Sequence, residues 1–175
     1  MATPADTTST ACAFVMGDDG LATWSDMHAD AWIGLLETHK RLTRTLDAEL
    51  EAEHGVTLSA LEALGRLAAA PGRSLRLSAL ATECGLSLSR ISRIMDSLQA
   101  RGLVERRAVE NDARAVEGHL TDAGLERVRR AQKAHFESVY QSFFEQLSPE
   151  EIGTLASVFS RFAPRAAAAC STAEE

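Results

Sequence analysis

Arg90 and Arg93 lie one helical turn apart among small hydroxyl residues, and this pattern indicates a binding surface more clearly than any other in the sequence. Arginine presents a planar fork that can bond to phosphate oxygens or to the edge of guanine, and serine can bond to phosphate or a base edge without steric bulk. We therefore expect a DNA-reading helix face; the alternative is an ordinary solvated surface. The predicted DNA-binding residues on this helix are Ser87, Ser89, Arg90, Ser92, Arg93 and Ser97.

The surrounding pattern predicts the elements that would position this face. A short helix over 79–84 is followed by Gly85, which suits a tight turn, and by Ser87, which can cap the next helix. That helix should run to about Arg101, where Gly102 provides a C-terminal cap. The apolar residues expected on its inner face, against the core, are Ile91, Ile94, Met95 and Leu98.

A predicted hairpin follows this helix. Residues 103–109 and 115–120 have strand patterns, and the intervening segment 110–114 contains an Asn-Asp pair that favours a turn. We expect Arg114, near the tip, to enter a minor groove, where the negative potential attracts a guanidinium. Asp112 would structure this wing, because a carboxylate is repelled by phosphate. The alternative is an ordinary polar turn with Arg114 in solvent.

The distribution of charge is consistent with this interpretation, although the total is not. The chain has a net charge of -7, whereas DNA affinity depends on cations that contact phosphate. Residues 73–115 nevertheless contain eight arginines and five carboxylates. The basic excess is therefore confined to the segment that contains the predicted helix and hairpin.

Helices are expected on both sides of this segment. An amphipathic helix should run from about Trp24 to His54, a second over 57–69 with Ser59 and Glu62 in capping-box spacing, and a short strand over 74–77. Ser78 would cap the short helix over 79–84. A long helix should run from Thr121 to Leu147, and a final helix should begin at a capping box formed by Ser148. The predicted domains are a flexible tail (1–22), a helical dimerisation region (23–55 and 121–165), a winged helix-turn-helix DNA-binding domain (56–120) and a frayed tail (166–175).

The motifs in this order resemble the MarR family of bacterial transcriptional regulators over roughly residues 24–162. The resemblance rests on Leu80-Ala81, Gly85-Leu86-Ser87, Ser89-Arg90, Leu98, Arg101-Gly102-Leu103-Val104, Asp112-Ala113-Arg114-Ala115 and Leu120-Thr121-Asp122-Ala123-Gly124. It implies a mainly α fold with a small β-wing, dimerised through its N- and C-terminal helices. It also implies a homodimer that binds a pseudo-palindromic operator in double-stranded DNA, mostly as a repressor. Binding of a small phenolic or anionic effector could release this homodimer from the DNA. The wing has fewer arginines than is common in the family.

Other residues in the sequence suggest further sites and functions. His28, Trp32 and His39 share one face of the first helix and could bind an aromatic acid, although packing at a dimer seam would also explain them. Cys12 could make the protein a redox-sensing regulator, but no cation lies near it in sequence to lower the thiol pKa. A winged helix used only for protein contacts is a further alternative. Metal-ligand spacings and enzyme motifs are absent from the sequence, so we expect neither a cofactor nor an enzyme. Without a signal-peptide pattern or a long apolar run, the expected location is the cytoplasm, with no membrane partner.

Overall fold

The computed structural model describes residues 14–109 and 112–162, with side chains for all of these except residues 109–114. Within this part the chain is mainly helical with two small antiparallel sheets. In chain order the elements are β1 (Phe14–Met16), β2 (Ala22–Trp24), α1 (Asp26–His54), α2 (Leu58–Ala69), a 3-10 turn (Pro71–Arg73), β3 (Ser74–Arg76), α3 (Leu77–Glu83), α4 (Leu88–Ala100), β4 (Val104–Val109), β5 (Asp112–Leu120), α5 (Asp122–Ser142), a second 3-10 turn (Phe144–Gln146) and α6 (Pro149–Ser160).

The chain divides into two compact units, one reaching Arg44 and one starting at Thr45. In the first unit, β1 and β2 form a hairpin in which Phe14 pairs with Trp24 and their rings meet edge to face at 6.3 Å. The Asp19 carboxylate accepts a hydrogen bond from the Leu21 N–H in the turn. The sequence pattern had assigned residues up to 22 to a flexible tail. Residues 14–22 instead contribute to this hairpin, because the aromatic pair and the Asp19 turn order them.

The second unit has one apolar core, to which α2, α3, α4, α5 and the three-stranded sheet contribute. The order in this sheet is β3-β5-β4, and both strand pairs are antiparallel. Helices α2, α3, α4 and α5 and strands β4 and β5 each contribute buried side chains to this core, whereas Leu75 of β3 is only partly buried against it. The largest fully buried side chains are Val56, Leu64, Leu67, Leu80, Ile91, Met95, Leu98, Val104 and Leu120.

Two predicted helix starts differ from the structure. The hydroxyl of Thr57, not that of Ser59, caps α2 by accepting a hydrogen bond from the Ala60 N–H. Helix α3 begins at Leu77 without a side-chain cap, because β3 runs directly into it and Leu77 is buried in the core. Ser78 therefore lies within the helix.

The end of α5 also differs, whereas the start of α6 is as predicted. Helix α5 ends at Ser142 instead of Leu147, because Phe143 leaves the helical region with φ -134° and its ring packs edge to face on Phe144. At α6, Ser148 and Glu151 form the expected reciprocal capping box. No helix in the described ranges combines the length and apolar character that crossing a bilayer requires.

Candidate DNA interface

Helices α3 and α4 form a helix-turn-helix whose second helix presents a polar face to solvent. Gly85 takes φ +61° in the turn, a conformation that glycine adopts without strain, and Ser87 caps α4 by accepting from the Arg90 N–H at 3.3 Å. The inner residues Ile91, Met95 and Leu98 are at most 1% exposed. Burial of this apolar row fixes the rotation of α4 and so determines which residues face outward.

The outward face contains most of the predicted residues. Ser87, Ser89, Arg90, Arg93 and Ser97 are all exposed. Arg90 donates to the Ser59 hydroxyl of α2 at 3.2 Å, and Arg93 donates to the Ser89 carbonyl at 3.4 Å. These contacts at the surface are weak enough to be exchanged for bonds to phosphate or base.

Ser92 differs from its neighbours because it faces the wing. Arg106 of β4 donates through one guanidinium nitrogen to the Ser92 carbonyl at 2.6 Å and to the Ser92 hydroxyl at 3.1 Å. The same nitrogen lies 3.1 Å from a carboxylate oxygen of Asp96. Arg106 therefore ties β4 to α4, the second helix of the helix-turn-helix, through contacts that the sequence pattern does not predict.

A cleft of about 490 Å³ runs along α4 and concentrates positive charge. Arg90, Arg93 and Arg101 line it, and Glu51 is the one acidic residue among its lining. Three guanidiniums beside the start of α2 form a positively charged surface of the kind that contacts a phosphate backbone.

Arg101 also has a structural partner. Its guanidinium donates to the carbonyls of Gly55 and His54 at the end of α1, and Arg127 of α5 donates to the same His54 carbonyl. Gly55 has φ +65°, and a Cβ built there would lie 2.7 Å from an Arg101 nitrogen. Two cations thus meet the carbonyl end of a helix, where its dipole is negative. We call Arg101, Arg127 and the carbonyls of His54 and Gly55 the junction clamp.

Leu88 is a further exposed residue that periodicity did not single out. Its spacing of three from Ile91 favours burial, but its place in the first turn of α4 leaves it 54% exposed. An apolar side chain at the start of a recognition helix can contact a thymine methyl group.

The wing consists of β4 and β5, which pair from Val104 opposite Leu120 with a register shift at Ala108 and Val109. Arg107 pairs with Glu105 at 2.9 Å on the exposed surface. The predicted minor-groove residue Arg114 and wing-structuring residue Asp112 lie on β5, but their side chains lie outside the described residues. Both roles stay predictions.

The structure leaves the predicted ligand residues of α1 in separate, exposed positions. His28 shares a hydrogen bond of 2.7 Å with Ser25, Trp32 is 51% exposed, and His39 is exposed. Eleven helical steps separate the two histidines by roughly 16 Å. A small ligand held by all three residues would therefore require further walls around this face.

The cysteines differ in what can be described. Cys84 is buried, and this burial, reinforced by nearby Glu62, raises the pKa of its thiol to about 11. Cys12 lies outside the described residues. Within the described part of the chain no group of three or more His, Cys, Asp or Glu side chains is arranged to hold a metal ion.

These elements define a winged helix-turn-helix, and the comparisons with known proteins agree. A model of the MarR family matches residues 54–115. AbsC, a MarR family transcriptional regulator from Streptomyces coelicolor, is 31% identical, with 80% of this chain and 94% of AbsC covered and a TM-score of 0.73. None of the curated proteins that were searched matches.

A second regulator from the same organism, Sco3205, was solved in complex with DNA. It is 28% identical to this chain over 83% of this chain and 91% of its own, with a TM-score of 0.75. MarR from E. coli is 22% identical over 74% and 94% of the two chains, with a TM-score of 0.63, and so supports the fold. The chain belongs to the MarR family of transcriptional regulators. The predicted family and fold class are thereby confirmed.

Proposed function

We propose that this protein represses transcription by binding a pseudo-palindromic operator as a homodimer. The observation that carries the proposal is the outward face of α4, where Arg90 and Arg93 stand among serines and beside the arginine-lined cleft. The relative Sco3205, crystallised with DNA, supports the same partner for this chain. In this proposal Arg90 and Arg93 read the major groove and Arg114 enters the minor groove.

The exposed apolar residues support a dimer. Trp32, Ile33 and Leu35 on α1 and Phe136 and Tyr140 on α5 are between 45% and 65% exposed. Large exposed apolar side chains, on α1 in the first unit and separately on α5 in the second, are typical of helix faces that a partner chain covers. A two-fold dimer would present two copies of α4 to half-sites about one helical turn apart.

Binding to the chain's own promoter region tests this function. A gel shift with nonspecific competitor should show binding that weakens steeply with salt, because phosphate contacts release counterions. Arg90→Ala or Arg93→Ala should cost about 1 to 3 kcal/mol and relax preference at one position per half-site. Arg129→Ala removes an equal charge from the exposed surface of α5 and serves as the matched control.

Three outcomes would contradict parts of the proposal. Flat salt dependence, or equal behaviour of the Arg90 and Arg129 variants, would favour the alternative of a protein-interaction module. For the wing, Arg114→Ala should lose affinity mainly on operators with A·T-rich flanks, where the minor groove is narrow. An equal loss on G·C-rich flanks would remove the minor-groove role.

Effector release belongs to the same proposal. We infer that a small molecule lowers operator affinity by binding to the dimeric regulator, as the family resemblance implies. A Cys12→Ser variant that remains sensitive to peroxide would remove the alternative of redox sensing through Cys12. A variant that loses this sensitivity would support it.

A further inference from the structure

The side of α4 that faces the wing differs in chemistry from the side that faces α2. A groove of about 370 Å³ lies between the first half of α4, the start of α3 and the wing strands. Leu77, Leu88 and Val116 line its apolar part, and Ser92 and Arg106 belong to its polar part. None of its lining residues lines the arginine-lined cleft on the α2 side. This α4–wing groove is therefore a second, more apolar surface of the recognition helix.

Leu88 is not a core residue, although its spacing places it on the inner side of α4. It lies three residues before Ile91 and seven before Met95, and both of these are fully buried. Leu86, two residues earlier, packs against the core, whereas Leu88 is 54% exposed and lies outside the core cluster. As the first residue of α4, directly after the Ser87 cap, it extends beyond the core. Core packing therefore does not account for a leucine at this position.

A second apolar side chain faces the same groove from the wing. Val116 lies on β5 opposite Ala108 of β4 and is 38% exposed. Leu88 and Val116 thus place two exposed apolar side chains in one groove, beside the polar outward face of α4. In the proposed function the start of α4 and the wing both approach DNA, so the occupant of this groove is the duplex.

The charge of the groove suits a nucleic acid. Arg76 and Arg106 are among its lining residues, whereas aspartate and glutamate are not. Asp96 offsets part of the Arg106 charge through an ion pair of 3.1 Å, but the Asp96 side chain lies outside the lining. Cations around an apolar centre attract the phosphate backbone and leave the centre itself to the edge of a base.

We propose that Leu88 reads the 5-methyl group of one thymine in each operator half-site. This inference deepens the proposed function and rests on it, because residues at the N-terminal end of a recognition helix meet base edges in the major groove. Thymine is the one base whose major-groove edge includes an apolar group. Arg90 and Arg93 suit guanine on the other side of α4, so Leu88 adds a preference for thymine that the arginines do not supply.

Replacement of single thymines by deoxyuracil tests the inference, because uracil lacks the 5-methyl group and keeps the pairing of thymine with adenine. Operator duplexes from the chain's own promoter region, each with one such replacement, are titrated with the full-length protein by fluorescence anisotropy. Loss of one buried methyl group should lower affinity about fourfold at one thymine per half-site. Replacement of other thymines should have no such effect.

Leu88→Ala should remove this uracil effect. The variant should bind the thymine duplex about fivefold more weakly than the unaltered protein does, and it should bind the thymine and uracil duplexes equally. Leu88→Met keeps an apolar side chain of similar volume and should retain the uracil effect. Arg90→Ala is the matched control: it weakens operator binding but leaves Leu88 in place, so it should also retain the effect. Thermal unfolding of each variant identifies a loss of fold.

The absence of any uracil-sensitive thymine with the unaltered protein would overturn the inference, whatever the variants do. So would a uracil effect of full size in Leu88→Ala, or its loss in Arg90→Ala, since neither agrees with a contact made by Leu88. In these outcomes the operator is still bound and the proposed function stands. A protein that does not bind the promoter region at all would contradict the proposed function, and this inference with it.

Discussion

Replacing Arg106 with glutamine tests whether the wing is held to the recognition helix by one side chain. The guanidinium makes two hydrogen bonds to Ser92 and an ion pair with Asp96. Bonds from a charged donor at a half-buried site contribute about 1.5 to 3 kcal/mol. The Asp96 carboxylate is 63% exposed, so solvent limits the ion pair to about 0.2 to 1 kcal/mol. We expect Arg106→Gln to lower the free energy of unfolding by about 2 to 3 kcal/mol.

The adjacent residue provides a matched control. Arg107 lies on the same strand and bears the same charge, but its ion pair with Glu105 is more than half exposed at both ends. Arg107→Gln should change the free energy of unfolding by no more than about 0.5 kcal/mol. Both variants remove one positive charge from the wing, so any difference between them reflects the partners of Arg106 and not the net charge.

Two measurements test the predicted difference between Arg106→Gln and Arg107→Gln. Urea unfolding at one fixed protein concentration gives the stability of each variant, and fluorescence anisotropy with labelled operator gives the affinity. Arg106→Gln should reduce operator affinity about tenfold more than Arg107→Gln, because it frees the wing from α4. Equal stability and equal affinity of the two variants would refute the reasoning, as would an additive double-mutant cycle with Asp96→Asn.

Three further predictions concern groups whose surroundings are well defined. Gly124→Ala should cost about 3 kcal/mol in urea unfolding, because its Cβ would lie 2.1 Å from the Leu103 carbonyl oxygen; Gly153→Ala, with open space around it, should not destabilise. In a variant with Cys12 and Cys170 changed to serine, Cys84 of the folded protein should react slowly with a disulfide reagent at pH 8, because burial raises its pKa to about 11. The same thiol should react quickly once urea unfolds the chain, and fast reaction of the folded form would contradict the prediction. Burial lowers the pKa of His135 in the folded state, so the unfolded chain takes up a proton at higher pH than the folded chain does. Stability should therefore fall as the pH drops through the range where an ordinary histidine titrates, about 6.5. His135→Gln should reduce this fall in unfolding experiments at pH 7.5 and 5.5, and an identical fall would count against burial as the cause.

Local signals in the sequence were sufficient for most of the fold. Ser87, Gly102 and the Ser148 box each act within a few residues, and the structure uses all three at helix ends. The predicted N-terminal cap of α2 was wrong. Thr57 and Ser59 both have hydroxyl groups that could cap this helix, and the local sequence does not decide between them. In the structure Ser59 is instead the partner of Arg90.

The links between elements could not be predicted in the same way. Arg101 lies 46 residues from Gly55, and Arg106 lies 14 residues from Ser92. A sequence pattern reports faces and turns, but it does not report which arginine meets which carbonyl once the helices have packed.

These links change the meaning of the basic excess in residues 73–115. Arg73 pairs with Asp122, Arg101 bonds to the end of α1, and Arg106 bonds to α4. Arg73 and Arg106 are paired with carboxylates, so the charge excess of the segment overstates the charge available to phosphate, whereas Arg101 still adds its charge to the arginine-lined cleft. Arg90 and Arg93, by contrast, have only surface hydrogen bonds that DNA could replace. In the proposed function, operator binding by this acidic chain therefore depends on the geometry with which the other arginines position α4. Loss of a positioning arginine should weaken operator binding even where Arg90 and Arg93 are intact.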